Sequence, residues 1–316
     1  MSVPSALSPA LGPVGVMQRR LAALPDATQG VLWMLAAGLS FSLMAATVKW
    51  LGAHLHPFQI AFFRCALGLM LVLPLVLRTG LPAVRTRHSR LHVTRGLAGI
   101  LAMSAGFYAL AHLPLADVAA ISFTKGMFMV MLAVLFVGER VRWRRWTATA
   151  IGFLGVLIMV RPGSAGFQPI MLVALMNAFL AGVVVTLIRR FPPSERPITI
   201  LFYFGLVTTP VALVPAWLVW TPVGWQDLAL LALAAGFGVV GQACAIRAHR
   251  AGEASIVAPF DYSRLVFATA LGFLLFADLP DRWTVAGAAV IVMSSLFIWY
   301  REMRLGLRAP PDPTPN

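Results

Sequence analysis

The chain has 316 residues, is 59% hydrophobic and 11% charged, and carries a formal net charge of +14. At a mean hydropathy of +0.84 it lacks the polar surface that a soluble globule of this length needs, which makes it an integral membrane protein. The basic residues lie almost all in short turns between apolar runs, so the charge reads as topology signals and lipid-headgroup contacts and argues against nucleic acid as a partner.

Residues 1–29 are rich in Ala, Pro and Leu and are not expected to be a cleaved signal peptide, because Leu21 to Pro25 is too short for an apolar core and Asp26 interrupts it. They are expected to form a disordered cytoplasmic tail. The proline-rich stretch 303–316 is expected to be another, since proline supplies no amide donor to a helix. Between the tails, ten runs approach the roughly 20 apolar residues that a helix needs to cross a bilayer. They lie at about 30–52, 57–77, 91–112, 115–137, 144–161, 167–188, 197–220, 226–247, 254–277 and 283–300. The expected fold is all-α, ten transmembrane helices as two inverted five-helix repeats, 30–163 and 164–302.

Charge and self-similarity carry that expectation. The turn Glu139 to Arg145 holds four arginines against one acid, whereas its counterpart, Asp278 to Arg282, holds one arginine against two acids. Basic short loops stay cytoplasmic, so the two turns face opposite sides and the halves are inverted, as in many secondary carriers. With both termini inside, only Lys49, Arg161 and Arg282 of the 25 basic residues fall outside, and Arg64, Lys125 and Arg264 fall within spans. An offset of 137 residues takes Arg145-Trp146-Thr147 onto Arg282-Trp283-Thr284, His112 onto His249 and Phe123 onto Phe260. Gly96/Gly99, Gly152/Gly155 and Gly236/Gly238/Gly241 are small residues at the spacing that lets helices approach closely, and they read as packing. Pro74, Pro210, Pro215 and Pro259 are candidate kinks. Cys65 and Cys244 lie inside apolar runs without metal-type spacing.

The three intramembrane cations are the sharpest signal, since each costs about 2.5–3.5 kcal/mol at a helix centre unless water or a counter-charge meets it. Lys125 lies roughly 15 Å into its span at the helical rise per residue, where snorkelling is hardest. Asp261, Tyr262 and Arg264 lie at comparable depth, and Asp261 is the one acid well inside a span. Either these groups line a polar cavity, with Lys125 and Arg264 meeting an anionic group and Asp261 an amine, or they form a structural ion pair. Tyr108, Ser122, Phe123 and Asn177 offer hydrogen-bonding and stacking groups nearby, and Arg64 either reaches the outer surface or pairs internally. Lys49 is expected to snorkel. No HExxH, Walker or G-x-S-x-G motif occurs, so no enzyme, cofactor or metal is expected.

The run LPLADVAAISFT from Leu113 to Thr124, Gly138-Glu139, Trp143 to Trp146, Gly152 to Val156, Arg161-Pro162-Gly163 and the run Ala258 to Ser263 occur in order. In these the chain resembles the EamA-type branch of the drug/metabolite transporter superfamily over about residues 30–302. The resemblance implies a bacterial inner-membrane secondary carrier, with a central cavity formed by spans one, three, four, six, eight and nine. It further implies alternating access for a small-molecule substrate, with a coupling proton or counter-substrate, membrane lipids around it, and a monomer or homodimer. Efflux of an amino-acid-like or zwitterionic metabolite is expected; the alternative is uptake of a vitamin or nucleoside-like compound of the riboflavin or S-adenosylmethionine type, with an intramembrane enzyme or sensor as rivals from other classes. Gly126 stands where the family often has proline, Ala277-Asp278 replaces the second Gly-Glu turn, and residues 30–52 hold no acid to match the coupling glutamate of the small multidrug relatives.

Overall fold

A computed structural model describes residues 26–80, 84–132, 143–161, 168–188, 190–192, 195–251 and 258–306. Residues 1–25 and 307–316 of the expected tails lie outside the described residues, as do Gly138, Glu139, Arg140 and Arg142 of the basic turn. Every described element is helical: α1 (Asp26–Leu51), α2 (Pro57–Thr79), α3 (Ser89–His112), α4 (Leu115–Ser122), α5 (Lys125–Leu132), α6 (Trp143–Val160), α7 (Ile170–Ile188), α8 (Pro197–Leu218), α9 (Trp225–Ala251), a 3-10 helix (Ala258–Tyr262), α10 (Ser263–Phe276) and α11 (Arg282–Gly306). Six of them, α1, α2, α3, α7, α8 and α9, contain a stretch long and apolar enough to cross a membrane. Long apolar side chains such as Leu77, Leu218, Leu274 and Met293 are well exposed on the outside of the bundle, as a lipid-facing surface requires.

The helix ends follow from local chemistry. Pro57 opens α2, where its missing amide donor costs nothing, and the His56 ring accepts the Phe58 amide as a cap. Proline at 74, 210 and 215 does not end α2 or α8.

The run expected to be the fourth span is two helices rather than one. Around the junction, Phe123, Thr124, Gly126 and Met127 all donate to the carbonyl three residues back, at 2.9–3.2 Å, which winds the chain into a 3-10 turn. Hydroxyls assist, since Ser122 Oγ donates to the Ala119 carbonyl at 2.6 Å and Thr124 Oγ1 to the Ile121 carbonyl at 2.7 Å, each competing with the regular ladder. The 3-10 helix at Ala258–Tyr262 falls on this same turn when shifted back by the 137-residue offset. Both halves therefore tighten their backbone at one equivalent point.

Helix packing repeats the same relation. α1 packs chiefly on α9 and α3 on α7, α2 on α8 and α6 on α11, while α3 also meets α8 and α2 meets α9. α10 lies on α1 as α4 and α5 lie on α7. Exchanging α1, α2, α3, the pair α4–α5 and α6 for α7, α8, α9, α10 and α11 in turn leaves this set of neighbours unchanged.

Candidate functional site

The two 3-10 turns bring part of the expected constellation together. Lys125, first residue of α5, places Nζ 3.8 Å from Asp261 Oδ2, and the two side chains remain 34% and 39% exposed. Two residues before Lys125 and one after Asp261, the rings of Phe123 and Tyr262 stand 4.6 Å apart at 48°, within the range in which aromatic pairs attract. An ion pair that stays this open, with charges too far apart for a hydrogen bond, leaves both members accessible to a third polar group beside them. The bare backbone at Gly126, where a Cβ would meet nothing within 4 Å, keeps the neighbouring space open.

The other expected residues are placed elsewhere. Arg264 lays its guanidinium 5.5 Å from the centre of the Phe41 ring on α1, and its backbone carbonyl accepts from Ser42 at 3.3 Å. Arg64 sits 5.9 Å from the Phe204 ring centre, with its Nε buried and unpartnered. Neither comes within ion-pair distance of a described carboxylate. Asn177 donates to the Ala102 carbonyl at 2.5 Å, fastening α7 to α3, and Gly106 leaves it space, since a Cβ there would stand 2.7 Å from the Asn177 amide nitrogen. The Tyr108 ring lies 4.5 Å from that of His112, tilted at 31°, and Ser122 spends its hydroxyl on its own helix.

Several charges were not legible as site groups. Lys49, expected to snorkel, instead pairs with Asp278. Arg161 pairs with Asp281 at 2.7 Å, His54 Nε2 lies 2.9 Å from Asp227, and Gln59 holds the Thr221 carbonyl, amide and hydroxyl. All of these bind together the end of the bundle where α1 finishes and α4 begins. Asp117 in the first turn of α4 is only 6% exposed, far more enclosed than Asp261. Arg95, counted with the basic turns, is instead 4% exposed, donates to the Ile200 carbonyl at 3.4 Å and stands 5.0 Å from the Phe204 ring centre. Near it, His92 stacks on Tyr203 at 4.6 Å and lies 3.5 Å from Glu195.

The Asp281 carboxyl lies outside the spans and titrates low. Its partial burial pushes it up, but the Thr284 amide at 2.7 Å and the Arg161 guanidinium outweigh that and hold it below its ordinary value.

Comparison with known proteins follows the same halves. The model of the EamA-like transporter family matches residues 28–161 and 168–300. The chain is 31% identical over 282 residues to an S-adenosylmethionine uptake transporter of Rickettsia prowazekii, covering 89% of this chain and 96% of that one. It is 35% identical over 294 residues to a riboflavin transporter of Rhizobium johnstonii, covering 91% and 96%, and 33% identical over 277 residues to the pseudopaline exporter CntI of Pseudomonas aeruginosa, covering 84% and 94%. A solved crystal structure superposes with a TM-score of 0.60 at 21% identity, covering 89% of this chain and 99% of that chain.

Proposed function

The chain belongs to the EamA-like transporter family, and from that premise we propose a secondary carrier of the bacterial inner membrane that exports amino-acid-like, zwitterionic metabolites by alternating access. It crosses ten times as two inverted repeats, 30–163 and 164–302, with both termini in the cytoplasm. The observation that carries the substrate class is the open Lys125–Asp261 pair at 3.8 Å beside the Phe123–Tyr262 rings. A carboxylate satisfies Lys125, an ammonium satisfies Asp261, and a flat group lies against the rings, so one zwitterion replaces the ion pair without leaving a buried charge uncompensated.

Export is supported by the way the molecule is latched. The pairs Lys49–Asp278, Arg161–Asp281 and His54–Asp227 all lie at the end assigned to the outside and hold that end together. The second reading, uptake of an S-adenosylmethionine-like or riboflavin-like compound, is favoured in direction by the name of one relative, an S-adenosylmethionine uptake transporter, and in substrate also by that of another, a riboflavin transporter.

Counterflow in proteoliposomes tests both. Accumulation of labelled amino acids driven by unlabelled substrate is the expected result, with labelled S-adenosylmethionine and riboflavin as the comparison arms; no flux of any of them, or chemical conversion of the label, refutes a carrier of this class. Reporter fusions at Arg142 and Asp281 report on opposite compartments if the halves are inverted, and on one compartment if they are not.

A further inference from the structure

At the outer end, five charged side chains from four separate pieces of the chain lie together. Lys49, in the last turn of α1, pairs with Asp278 and donates to the Leu113 carbonyl at 3.1 Å. Arg161, just past α6, pairs with Asp281 at 2.7 Å, and Asp281 accepts the Thr284 amide at 2.7 Å. The fifth is Asp117 of α4, 6% exposed, whose Oδ1 is buried and has no hydrogen-bond partner. The charges that act on it are Asp281 and Asp278 in the loop before α11 and Lys49 on α1, with Thr284 of α11 as its hydrogen-bonding neighbour. From α3, His112 turns back to the Tyr108 carbonyl. α7 carries no ionisable residue, and the single one on α10, Arg264, stands at its opposite end.

Among the described residues Asp117 has no ion-pair partner. Lys49 and Arg161 are each paired already, with Asp278 and Asp281, and Arg282 at the start of α11 lays its guanidinium over the Trp283 ring, 5.5 Å from its centre. An ionised Asp117 would leave an extra negative charge enclosed beside two others of the same sign, with one oxygen that no donor reaches, an arrangement that buried groups avoid by taking up a proton. A Cβ on Gly272 would stand in ordinary van der Waals contact with Leu115, at 3.6 Å, and with the Asp278 carbonyl, at 3.8 Å, so α10 and the loop after it pack over the start of α4.

We propose that Asp117 is the carrier's proton-binding site, protonated while the outer end is sealed and deprotonated when that end opens. On opening, the Asp117 O–H bond breaks, the proton passes to external water, and the carboxylate is hydrated. Outward opening is thereby linked to release of one proton, so alkaline exterior favours the open form and acid exterior the sealed one. The proposal rests on the orientation and alternating access given above.

The test uses Ala116→Cys, adjacent to Asp117 and 4% exposed, in the full chain carrying Cys65→Ala and Cys244→Ala. A membrane-impermeant thiol reagent is applied to right-side-out and inverted vesicles across a pH series. Labelling from outside is expected to rise with pH after correction for the reagent's own pH dependence, to stay low and flat in Asp117→Asn, and to keep its slope in Asp117→Glu. Labelling confined to inverted vesicles overturns the orientation, and the proposal with it. Labelling from outside that ignores pH, or that responds to pH equally in Asp117→Asn, overturns the proton site alone. Should Asp117→Asn fail to fold, infrared spectroscopy of the wild type decides: absence of a protonated-carboxyl band at neutral pH overturns the assignment.

Discussion

Gly155 on α6 and Gly287 on α11 meet backbone to backbone: a Cβ on Gly287 would stand 2.6 Å from the Gly155 carbonyl oxygen, and one on Gly155 would stand 2.9 Å from that of Gly287. Where lipid supplies no hydrophobic drive, such close approach is what holds two helices together. Gly287→Val must therefore push α6 and α11 apart and is expected to cost about 1–3 kcal/mol, read as a lower thermal unfolding temperature in detergent. Gly236→Ala is the control, since a Cβ there meets nothing within 4 Å; it should be neutral or gain up to about 1 kcal/mol of helix propensity.

The Lys125–Asp261 pair distinguishes a transport role from a structural one. Lys125→Met and Asp261→Asn should each raise KM for a zwitterion on the order of tenfold to a hundredfold, the loss of a charged hydrogen bond of about 1.5–3 kcal/mol, with the protein still folded in detergent. Swapping the charges, Lys125→Asp with Asp261→Lys, should restore whatever stability the pair supplies but not transport. Normal uptake kinetics in either single variant would remove these residues from the site.

Stacking predicts a selective effect. Phe123→Ala removes one member of the ring pair at 4.6 Å, an interaction of about 0.5–1.5 kcal/mol. KM should rise roughly two- to twelvefold for zwitterions bearing a flat ring and remain unchanged for aliphatic ones, as measured by competition in counterflow.

The Asp281 carboxyl gives a pH dependence of known sign. Its value is depressed in the folded protein, because the Thr284 hydrogen bonds and Arg161 outweigh the upward push of burial. The stabilisation it adds is present throughout neutral pH and is lost as pH falls below the ordinary carboxylate range. Thermal unfolding of wild type and Asp281→Asn should differ at neutral pH and converge in acid. Since the pair is largely open to solvent, the difference should be small and should shrink with added salt.

Local sequence was sufficient for the helical class, for the existence of two similar halves and for the isolation of Lys125, because lipid obliges each backbone segment to satisfy itself and makes any deep charge conspicuous. The positions of Phe123, Lys125, Asp261 and Tyr262 could be aligned from the 137-residue offset, but not their contact. That contact depends on the chain tightening into 3-10 turns at Ser122–Met127 and Ala258–Tyr262, where hydroxyls and short-range bonds replace the regular ladder. Nor could the sequence tell Arg64 and Arg264, laid against Phe204 and Phe41, from groups facing a cavity, since rotation of a helix that is apolar all round is set only by its neighbours. The ionic cluster at the end of the bundle where α1 finishes was the least legible of all. Lys49, Asp117, Arg161, Asp278 and Asp281 are scattered over more than two hundred positions and look like ordinary span-end charges until packing of α1, α4, α6 and α11 collects them. Periodicity and charge bias are properties of one segment at a time, whereas partners for a buried charge are chosen only when segments meet.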